Sequence, residues 1–357
     1  MKPATNRKNE HVSLAEHFYQ ADNDSSFADL QFVHHSFSEM RTNETNLATS
    51  FAGLVMAFPF YINAMSGGSK WTKQVNEKLA TVARETGLAM ATGSVSAALK
   101  DPTVSDSFTI VREANPNGLV FANLGAGRTV ENAKRAVDLL QADALQIHLN
   151  TPQEIVMPEG DRDFSNWLSE IGQIVQQMDV PVIVKEVGFG MSCETLQLLR
   201  SIGVKTVDIS GKGGTNFAQI ENYRRKDYKL DLLEDWGQTT AVSLLEAQPY
   251  TSELEILSSG GIRTPLDVVK SLALGAKAVG LSGHILHLVL KEGVDDTIQT
   301  IEHWKEQLVS IFTLLGCRVS TDLQQTDIVV TGQTKDWCEA RQIDYQALAK
   351  RSAKNNH

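Results

Sequence analysis

Cysteine is scarce in this chain of 357 residues, and its three copies follow no ligand spacing. Cys193, Cys317 and Cys338 lie far apart, their number is odd, and no CxxC pair occurs. Such spacing argues against a disulfide framework and against a zinc site built on cysteines. It is typical of a protein of the reducing cytoplasm, which is where we expect this one.

Long apolar runs are also lacking. The most apolar stretch, FAGLVMAFPFYINAM at residues 51–65, is interrupted by Pro59 and Asn63 and is short for a membrane-spanning helix. The amino terminus, MKPATNRKNEH, has no apolar segment of the kind that signal peptides carry. We therefore expect no membrane insertion.

Positive charge is in the minority, with a net charge of −10 and a pI near 5.4. Nucleic acids and anionic membranes need a basic surface, so the charge balance argues against both as partners. An anionic small molecule would have to be held by local groups. The length allows one barrel-sized domain or two smaller ones, and the apolar content of 42% is ordinary for a globular protein.

Short apolar segments recur from residue 58 onward, and most are separated by stretches with helical periodicity. One such stretch, 129–140, places Val130, Ala133, Val137 and Leu140 on one face. Another begins at Pro265 after the N-cap residue Thr264. The eight candidate strands lie in FPFYINAM, LAMATGS, LVFANLG, ALQIHLN, VPVIVKEVG, TVDISG, EILSSGG and AVGLSG.

Strands that alternate with helices favour a parallel sheet, and eight such units are the number that closes a (β/α)8 TIM barrel. An open doubly wound sheet is the structural alternative. We predict an amino-terminal arm at 1–57 that packs on a barrel spanning 58–357, with a long functional loop at about 212–253. The active site is then expected at the carboxyl-terminal face of the parallel strands.

Glycine is concentrated where the predicted strands end. A single glycine pair is weak evidence, because glycine is common in any turn that needs positive φ. Here SGKGGT, SSGGIRT and LSG follow three consecutive strands, where barrels of this type bind phosphate. Free backbone amides, the hydroxyls of Ser210 and Thr215 and the charge of Arg263 are suited to a phosphate group.

The other strand ends suit a flat heteroaromatic ring. Ser66, Ser94 and Asn123 are small polar residues spaced around a broad face. Lys185 ends an apolar strand, where a buried ammonium needs an anionic partner such as a reduced flavin. The alternative for Lys185 is a surface ion pair with Glu186.

Several stretches in this order resemble type 2 isopentenyl diphosphate isomerase, the flavin-dependent form. They are NRKNEH, NAMSGG, ANLGA, HLNTPQEIVMPEGDRDF, VKEVGFGM, SGKGGTNF, DWGQTT and SSGGIRTPLDVVKSLALGA. The resemblance runs from Arg7 to about Arg341, and HLNTPQE followed by PEGDRDF is its most specific part. It implies interconversion of isopentenyl and dimethylallyl diphosphate with reduced FMN, NADPH as reductant and Mg²⁺, and it suggests a homo-tetramer or homo-octamer.

The resemblance also implies roles for individual residues. Glu154 would be the Mg²⁺ ligand, Gln153 a substrate contact near the double bond, and His148 and Asn150 diphosphate or substrate contacts. Arg7 and Lys8, with His11, would bind the diphosphate. FMN contacts would be Ala64, Met65, Ser66, Ser94, Asn123, Lys185, Ser210, Thr215, Gly260, Gly261, Arg263, Ser282 and Gly283.

The size of the charge repulsion supports a metal ion at Glu154. A carboxylate about 4 Å from one phosphate charge is opposed by roughly 4 kcal/mol at an effective dielectric near 20. Glu154 beside a diphosphate therefore requires a bridging cation, and Mg²⁺ prefers few carboxylates together with phosphate oxygens and waters. Without its polar neighbours His148, Asn150 and Gln153, a single Glu at a strand end would instead be read as a loop cap or an ion-pair partner.

Moving a double bond requires delivery of one proton and removal of another. The sequence shows no carboxylate pair or activated nucleophile apart from Glu154. We therefore expect the reduced flavin N5 to do the acid–base work, with Gln153, Lys185 and His148 as the catalytic side chains. Gln153 would orient the reacting groups, and Lys185 would stabilise the anionic ring.

Two loops depart from the family pattern. The first reads MSGG where many relatives have MTGG, and the second reads GSVSAAL where some have GSQR. Because this arginine is missing, more of the negative charge of the diphosphate would have to be bound by Arg7 and Lys8.

Rival functions are an FMN oxidoreductase, of the 2-hydroxy-acid oxidase or IMP dehydrogenase kind, and a non-enzymatic flavin or phosphate sensor. The first oxidoreductase needs a base histidine near the seventh strand and the second a cysteine on the sixth loop, and SSGGIRT and SGKGGT have neither. A sensor would not need the polar groups at the end of the fourth strand.

The pairs His34–His35 and His284–His287 are expected to have structural or surface roles. Cys193 is expected to be a small buried hydrophobe, with a reactive thiol as the alternative. Trp236 is expected near the active site.

Overall fold

The structure, a computed structural model, describes residues 4–20 and 26–352. In chain order the first strands and helices are α1 (Ala4–His17), β1 (Leu30–Phe32), β2 (Thr49–Phe51), β3 (Leu54–Met56), β4 (Phe60–Ile62), α2 (Lys70–Thr86), β5 (Met90–Ala91), α3 (Ser96–Lys100), α4 (Asp106–Ala114), β6 (Val120–Gly125), α5 (Val130–Leu140), β7 (Ala144–His148) and α6 (Thr151–Val156).

The chain continues with α7 (Trp167–Gln177), β8 (Val182–Lys185), α8 (Cys193–Ser201), β9 (Thr206–Asp208), α9 (Phe217–Arg224), α10 (Thr240–Glu246), β10 (Glu255–Ser259), α11 (Pro265–Ala273), β11 (Ala276–Leu281), α12 (Gly283–Lys291), α13 (Val294–Leu314), β12 (Ile328–Val330) and α14 (Gly332–Arg341). Short 3-10 turns cover Ser26–Asp29, Thr42–Glu44, Pro102–Val104, Asp231–Leu233, Gln248–Tyr250, Asp322–Gln325 and Gln346–Lys350.

Eight of these strands form a closed barrel in the order β10-β11-β4-β5-β6-β7-β8-β9, with every neighbouring pair parallel. The predicted (β/α)8 barrel is confirmed, and the open sheet is excluded. Each predicted apolar segment overlaps one barrel strand, and only the last, AVGLSG, misses the start of its strand, β11. Both faces of these strands are buried, which is why they read as continuous apolar runs rather than as alternating patterns.

Local signals set the helix ends. The Thr129 side chain accepts from the amide of Asn132 at the start of α5, and Thr264 and Asp267 form a capping box around Pro265 at the start of α11. Both predicted helices therefore begin where the sequence indicated.

The amino-terminal end of the barrel is closed by the antiparallel hairpin β2–β3. Its Phe51 and Met56 pack inside the barrel against Tyr61 and Phe121. The hydroxyl of Thr49 donates to the Lys277 carbonyl oxygen at 2.6 Å. Because this end is plugged by side chains, the opposite end is the one open to ligands.

The segment at 212–253 is not an open loop, because it contains α9, α10 and two 3-10 turns. Elsewhere β1 pairs antiparallel with β12, which joins the two ends of the chain beside the barrel. Within residues 4–20 and 26–352, no helix is both long and apolar enough to cross a membrane.

Candidate active site

A cavity of ≈ 980 Å³ opens at the carboxyl ends of the barrel strands, and helix α1 forms part of its wall. All but one of the predicted site residues line it: Arg7, Lys8, His11, Ala64, Met65, Ser94, Asn123, His148, Asn150, Gln153, Glu154, Lys185, Ser210, Thr215, Gly260, Gly261, Arg263, Ser282 and Gly283. These residues come from α1 and from the ends of the barrel strands, which the closed sheet brings into one rim.

Ser66 is the exception. Its side chain is buried, and its hydroxyl donates to Asn76 Oδ1 on α2 at 2.5 Å. The Ser66 backbone carbonyl accepts from the amide of Gly93 at 2.8 Å, so the residue joins the first two loops. It does not line the cavity.

Glycines allow the loops after β9 and β10 to pack backbone against backbone. A Cβ on Gly214 would lie 2.9 Å from the Gly261 nitrogen, and a Cβ on Gly260 would overlap the carbonyl oxygen of Gly211. Gly260 has a φ of 93°, which L side chains rarely adopt. The close approach leaves a wall of main chain facing the cavity.

The amino terminus of α12 completes this wall. Its N-cap residue, Ser282, makes no side-chain capping hydrogen bond, so its hydroxyl leaves the first amides of the helix open to a ligand as far as the described residues show. Arg263 lies nearby, and its buried Nε has no hydrogen-bond partner among the described residues. The guanidinium lies 5.2 Å from the centre of the Tyr19 ring. Arg263 Nη1 and Nη2 donate to the Ile262 and Gly213 carbonyl oxygens at 3.4 and 3.3 Å, which leaves Nε as its unsatisfied donor. Main-chain amides, a helix terminus and this Nε–H fit a phosphate group.

Lys185 lies inside the cavity wall and is only 5% exposed. Its ammonium donates to the backbone carbonyl of Glu186 at 2.5 Å. Burial lowers the pKa of Lys185, against the opposing negative charges of Asp208 and Glu186. The surface ion pair considered as an alternative is wrong, since both residues are buried and the Glu186 carboxylate accepts instead from the amides of Val187 and Phe189. Burial raises the pKa of Glu186 to about 8.

The polar residues after β7 are joined by hydrogen bonds. Asn150 Nδ2 donates to Gln153 Oε1 at 3.1 Å and to Glu154 Oε1 at 3.0 Å, and Glu154 Oε2 accepts from the Asp161 amide at 2.8 Å. Within the described chain, no cationic side chain lies within 4.0 Å of the Glu154 carboxylate. No cluster of three metal-ligating side chains is found among those residues either. A cation here would have this single carboxylate as its charged protein ligand.

Sequence reasoning missed Glu221, which lies 68 residues beyond Gln153 and has a fully buried side chain. Its Oε1 accepts from Gln153 Nε2 at 2.9 Å and lies 2.8 Å from His11 Nε2, and Arg224 pairs with its other oxygen. Burial would raise the pKa of Glu221, but His11, Arg224 and Gln153 outweigh it and lower the pKa to about 2. Glu221 therefore joins helix α1 to Gln153.

Cations gather at the rim although the protein is acidic. Burial, and then the charge of Arg7, lower the pKa of Lys8 to about 8. Arg128, from the loop after β6, also lines the cavity, and its buried Nε has no partner in the described chain. Arg128 was not among the predicted site residues, and it adds a guanidinium to the cavity wall.

The residues expected to be structural lie away from the cavity or pack at its edge. His35 lies 3.1 Å from Asp327, and His287 lies 3.0 Å from Glu16. His284 lines the cavity, but its Nδ1 is bonded to the Tyr19 hydroxyl at 2.8 Å and its ring stacks on Trp304.

Two further expectations have mixed outcomes. Cys193 is half-buried rather than buried, and its thiol lies 3.8 Å from the Tyr250 hydroxyl. Trp236 is 59% exposed and lines a smaller cavity of ≈ 250 Å³ on the outer side of the glycine loops. The tryptophan that lines the main cavity is Trp167.

Known proteins resemble this chain in sequence and in fold. The family model described as FMN-dependent dehydrogenase matches residues 131–330. A protein of Latilactobacillus sakei named isopentenyl-diphosphate delta-isomerase is 52% identical over 95% of this chain and 97% of its own length. A protein of the same name from Staphylococcus aureus is also 52% identical, over 95% and 97%.

Solved structures share the architecture at low identity. A flavocytochrome b2 variant with sulfite bound superposes with a TM-score of 0.64 at 21% identity, covering 90% of this chain and 78% of that one. Mandelate oxidase gives a TM-score of 0.64 at 16% identity, covering 90% of both chains. These likenesses concern the barrel alone.

Proposed function

The chain belongs to the isopentenyl-diphosphate delta-isomerase family, with the barrel of the FMN-dependent dehydrogenases, and from this we propose how its cavity works. The protein is an isomerase that interconverts isopentenyl and dimethylallyl diphosphate, and its cofactor is FMN. We assign the phosphate of FMN to the glycine wall, the amino terminus of α12 and Arg263. The unsatisfied Arg263 Nε and the uncapped helix support this assignment.

The isoalloxazine ring is assigned to the centre of the cavity, beside Ala64, Met65, Ser94, Asn123 and Lys185. When bound and reduced, FMN supplies the acid–base chemistry of the double-bond shift without net redox change. Lys185 has three ammonium hydrogens, and only one is taken by the Glu186 carbonyl. The remaining donors and the charge are suited to hold an anionic ring.

Glu154 is assigned as the residue that would hold Mg²⁺, and the ion would supply positive charge beside the substrate diphosphate. A carboxylate without a cation partner, in a cavity that collects Arg7, Lys8 and Arg128, supports this assignment. Asn150 holds Glu154 by its amide, while Arg7, Lys8 and His11 on α1 would bind the diphosphate. The single observation that carries the proposal is that one cavity holds the glycine wall, the cations of Arg7, Lys8 and Arg128, and a carboxylate with no cationic partner among the described residues.

Gln153 is assigned to orient the reacting carbons. Its amide is held at both ends, by Glu221 and by Asn150, which leaves one N–H and one lone pair for a ligand. Burial, and then the charges of Lys185, Lys8 and Arg128, lower the pKa of His148 to about 3. His148 is therefore assigned as a neutral hydrogen-bonding group that contacts the ligand, and not as an acid near neutral pH.

NADPH is proposed as the reductant and a homo-oligomer, a tetramer or octamer, as the assembly. The exposed Tyr228, Leu232 and Trp236 in the segment at 212–253 support association through that surface. A cytoplasmic location is proposed because Cys193, Cys317 and Cys338 carry free thiols. Light scattering on purified protein tests the assembly.

Incubation with isopentenyl diphosphate in D₂O, with FMN, Mg²⁺ and NADPH, tests the reaction. Dimethylallyl diphosphate that carries deuterium is the expected product. Turnover that instead reduces FMN with a 2-hydroxy acid, and leaves the diphosphate unlabelled, would reject the isomerase assignment. A yellow flavin absorption band of the purified protein tests the cofactor separately.

A further inference from the structure

A continuous chain of side-chain hydrogen bonds runs through the barrel from Asp208 to His148. Asn63 Nδ2 donates to Asp208 Oδ2 at 2.9 Å, and Gln146 Nε2 donates to Asn63 Oδ1 at 3.1 Å. Asn123 Nδ2 donates to Gln146 Oε1 at 3.3 Å, and Asn123 Oδ1 lies 2.6 Å from His148 Nδ1. Of the five residues only His148 is not buried, and its ring lines the cavity.

The direction of this chain is fixed at the Asp208 end. The Asp208 carboxylate is surrounded by donors, because Ser259 Oγ at 2.8 Å, the Ser210 amide at 3.2 Å and Asn63 all donate to it. The orientation of Asn63 is fixed a second time, since its Oδ1 also accepts from the Ala64 backbone amide at 2.9 Å. A backbone amide cannot become an acceptor, so Asn63 cannot be flipped without loss of both contacts.

The orientation of each side-chain amide then determines the orientation of the next one. Asn63 Oδ1 requires the Gln146 amino group, Gln146 Oε1 requires the Asn123 amino group, and Asn123 Oδ1 is left to face the imidazole. A carbonyl oxygen only accepts, so the hydrogen in the 2.6 Å contact belongs to His148 Nδ1. The ring is neutral, as its low pKa requires, so Nε2 carries a lone pair. Nε2 has no hydrogen-bond partner among the residues that the structure describes, and the ring faces the cavity.

We propose that Asp208 is a positioning residue that holds His148 as its Nδ1–H tautomer, so that Nε2 offers an acceptor to the bound ligand. The group that meets His148 is then an N–H or O–H donor and not a bare phosphate oxygen. Only the identity of that ligand rests on the proposed function. Two sources share this chemistry: an N–H of the reduced flavin ring and a water on the metal.

The ring nitrogens report the tautomer directly. In FMN-bound protein labelled with ¹⁵N-histidine, solid-state NMR separates a protonated ring nitrogen from a bare one, which resonates far downfield. The signals of His148 are assigned by their loss in His148→Gln. The expected result is a protonated Nδ1 and a bare Nε2, whereas a protonated Nε2 would overturn the proposal. No substrate is present, so failure of the isomerase assignment would leave this result unchanged.

Asp208→Asn tests the origin of the tautomer. The Ser210 backbone amide requires the oxygen of the new amide, so its amino group faces Asn63 Nδ2, donor against donor. We expect a detectable Nε2–H population of His148, and a single Nδ1–H form would contradict the role of Asp208. Gln146→Leu interrupts the hydrogen-bond chain without changing Asp208 and should give the same mixture of tautomers. This second variant keeps the test possible if the Asp208→Asn protein fails to fold.

Two further variants sharpen the test. Asn123→Asp in the Asp208→Asn background puts a carboxylate directly on Nδ1 and should restore the Nδ1–H form. Asp143→Asn is the matched control, since this carboxylate pairs with Arg112 outside the chain and its loss should leave His148 unchanged.

Ligand additions identify the donor. An upfield shift of the bare Nε2 on loading apo-protein with reduced FMN assigns the donor to the flavin. A shift that appears only with Mg²⁺ and isopentenyl diphosphate assigns it to the metal-bound water. No shift under either condition would reject the acceptor role.

Discussion

Lys185 and Asp208 are register partners on the neighbouring parallel strands β8 and β9, and both are buried. The two charges stabilise each other through the barrel wall, because burial lowers the pKa of Lys185 and the charge of Asp208 opposes this effect. Asp208 is otherwise occupied by neutral donors. The ammonium therefore stays available to an anionic ligand, and Asp208 supports both Lys185 and the tautomer of His148.

If Lys185 faces the flavin as proposed, Lys185→Met should make the potential of bound FMN more negative, because the reduced anionic ring loses a cation. An interaction of about 1 to 4 kcal/mol corresponds to roughly 20 to 90 mV for a two-electron couple. Redox titration measures the shift. Lys205→Met is the control, since Lys205 is exposed just before β9 at the opposite end of the barrel. An unchanged potential together with unchanged activity would refute the role of Lys185.

Glu154→Gln should weaken the apparent affinity for Mg²⁺. The loss should be at least the roughly 10- to 100-fold that removal of a residue supporting a metal ligand typically costs. Gln keeps the size, and its one oxygen can accept from either Asn150 or the Asp161 amide, so one of these two hydrogen bonds is lost. Circular dichroism checks that the variant is folded. Activity is measured as a function of Mg²⁺ concentration, with the exposed Glu131→Gln on α5 as control. Equal Mg²⁺ dependence in all three proteins would reject the metal site.

The pH dependence of catalysis should show the titration of Lys8. Its pKa is lowered to about 8, so the ammonium is charged below that pH and neutral above it. If Lys8 binds the diphosphate, kcat/KM should fall about tenfold per pH unit above pH 8. Lys8→Arg stays charged and should lose this alkaline limb, whereas Lys100→Arg, also at the cavity, should retain it. The same limb in Lys8→Arg would show that another group titrates.

Gly260→Ala should lower the affinity for FMN by more than tenfold. The new Cβ would overlap the Gly211 carbonyl, and the positive φ adds strain of about 1 to 2 kcal/mol. Gly87→Ala is a matched control, because Gly87 also has positive φ, 67°, but no atom lies within 4 Å of its added Cβ. It should lower the free energy of unfolding and leave FMN binding unchanged. Fluorescence titration with FMN compares the variants, and equal affinities would argue against the glycine wall as the phosphate site.

The sequence allowed the barrel to be predicted because its signals are local. Eight apolar segments of strand length alternate with helical periods, and caps such as Thr264 with Pro265 mark where helices begin. The common location of the polar residues at the strand ends could be predicted for the same reason, since parallel strands bring their carboxyl ends to one rim. That is why residues as distant as Ser94, Glu154 and Gly283 could be expected to share one cavity, whereas Lys8 was expected there only from the family resemblance.

The direction of the Ser66 side chain could not be predicted from the sequence. A loop position next to the rim was expected to face the cavity, but the direction of its hydroxyl depends on Asn76 of the helix that packs behind it. Trp236 illustrates the same point, because the helices within 212–253 place it on the outer side of the glycine loops.

The sequence by itself determined the fold class, the end of the barrel that holds the site and the types of residue gathered there. Only the tertiary structure decided which of them touch. Glu221 meets Gln153 and Asp208 begins the chain to His148 because closure of the barrel brings their strands and helices together. Periodicity describes neighbours along the chain, whereas hydrogen-bond partners across a closed sheet are set by register and packing.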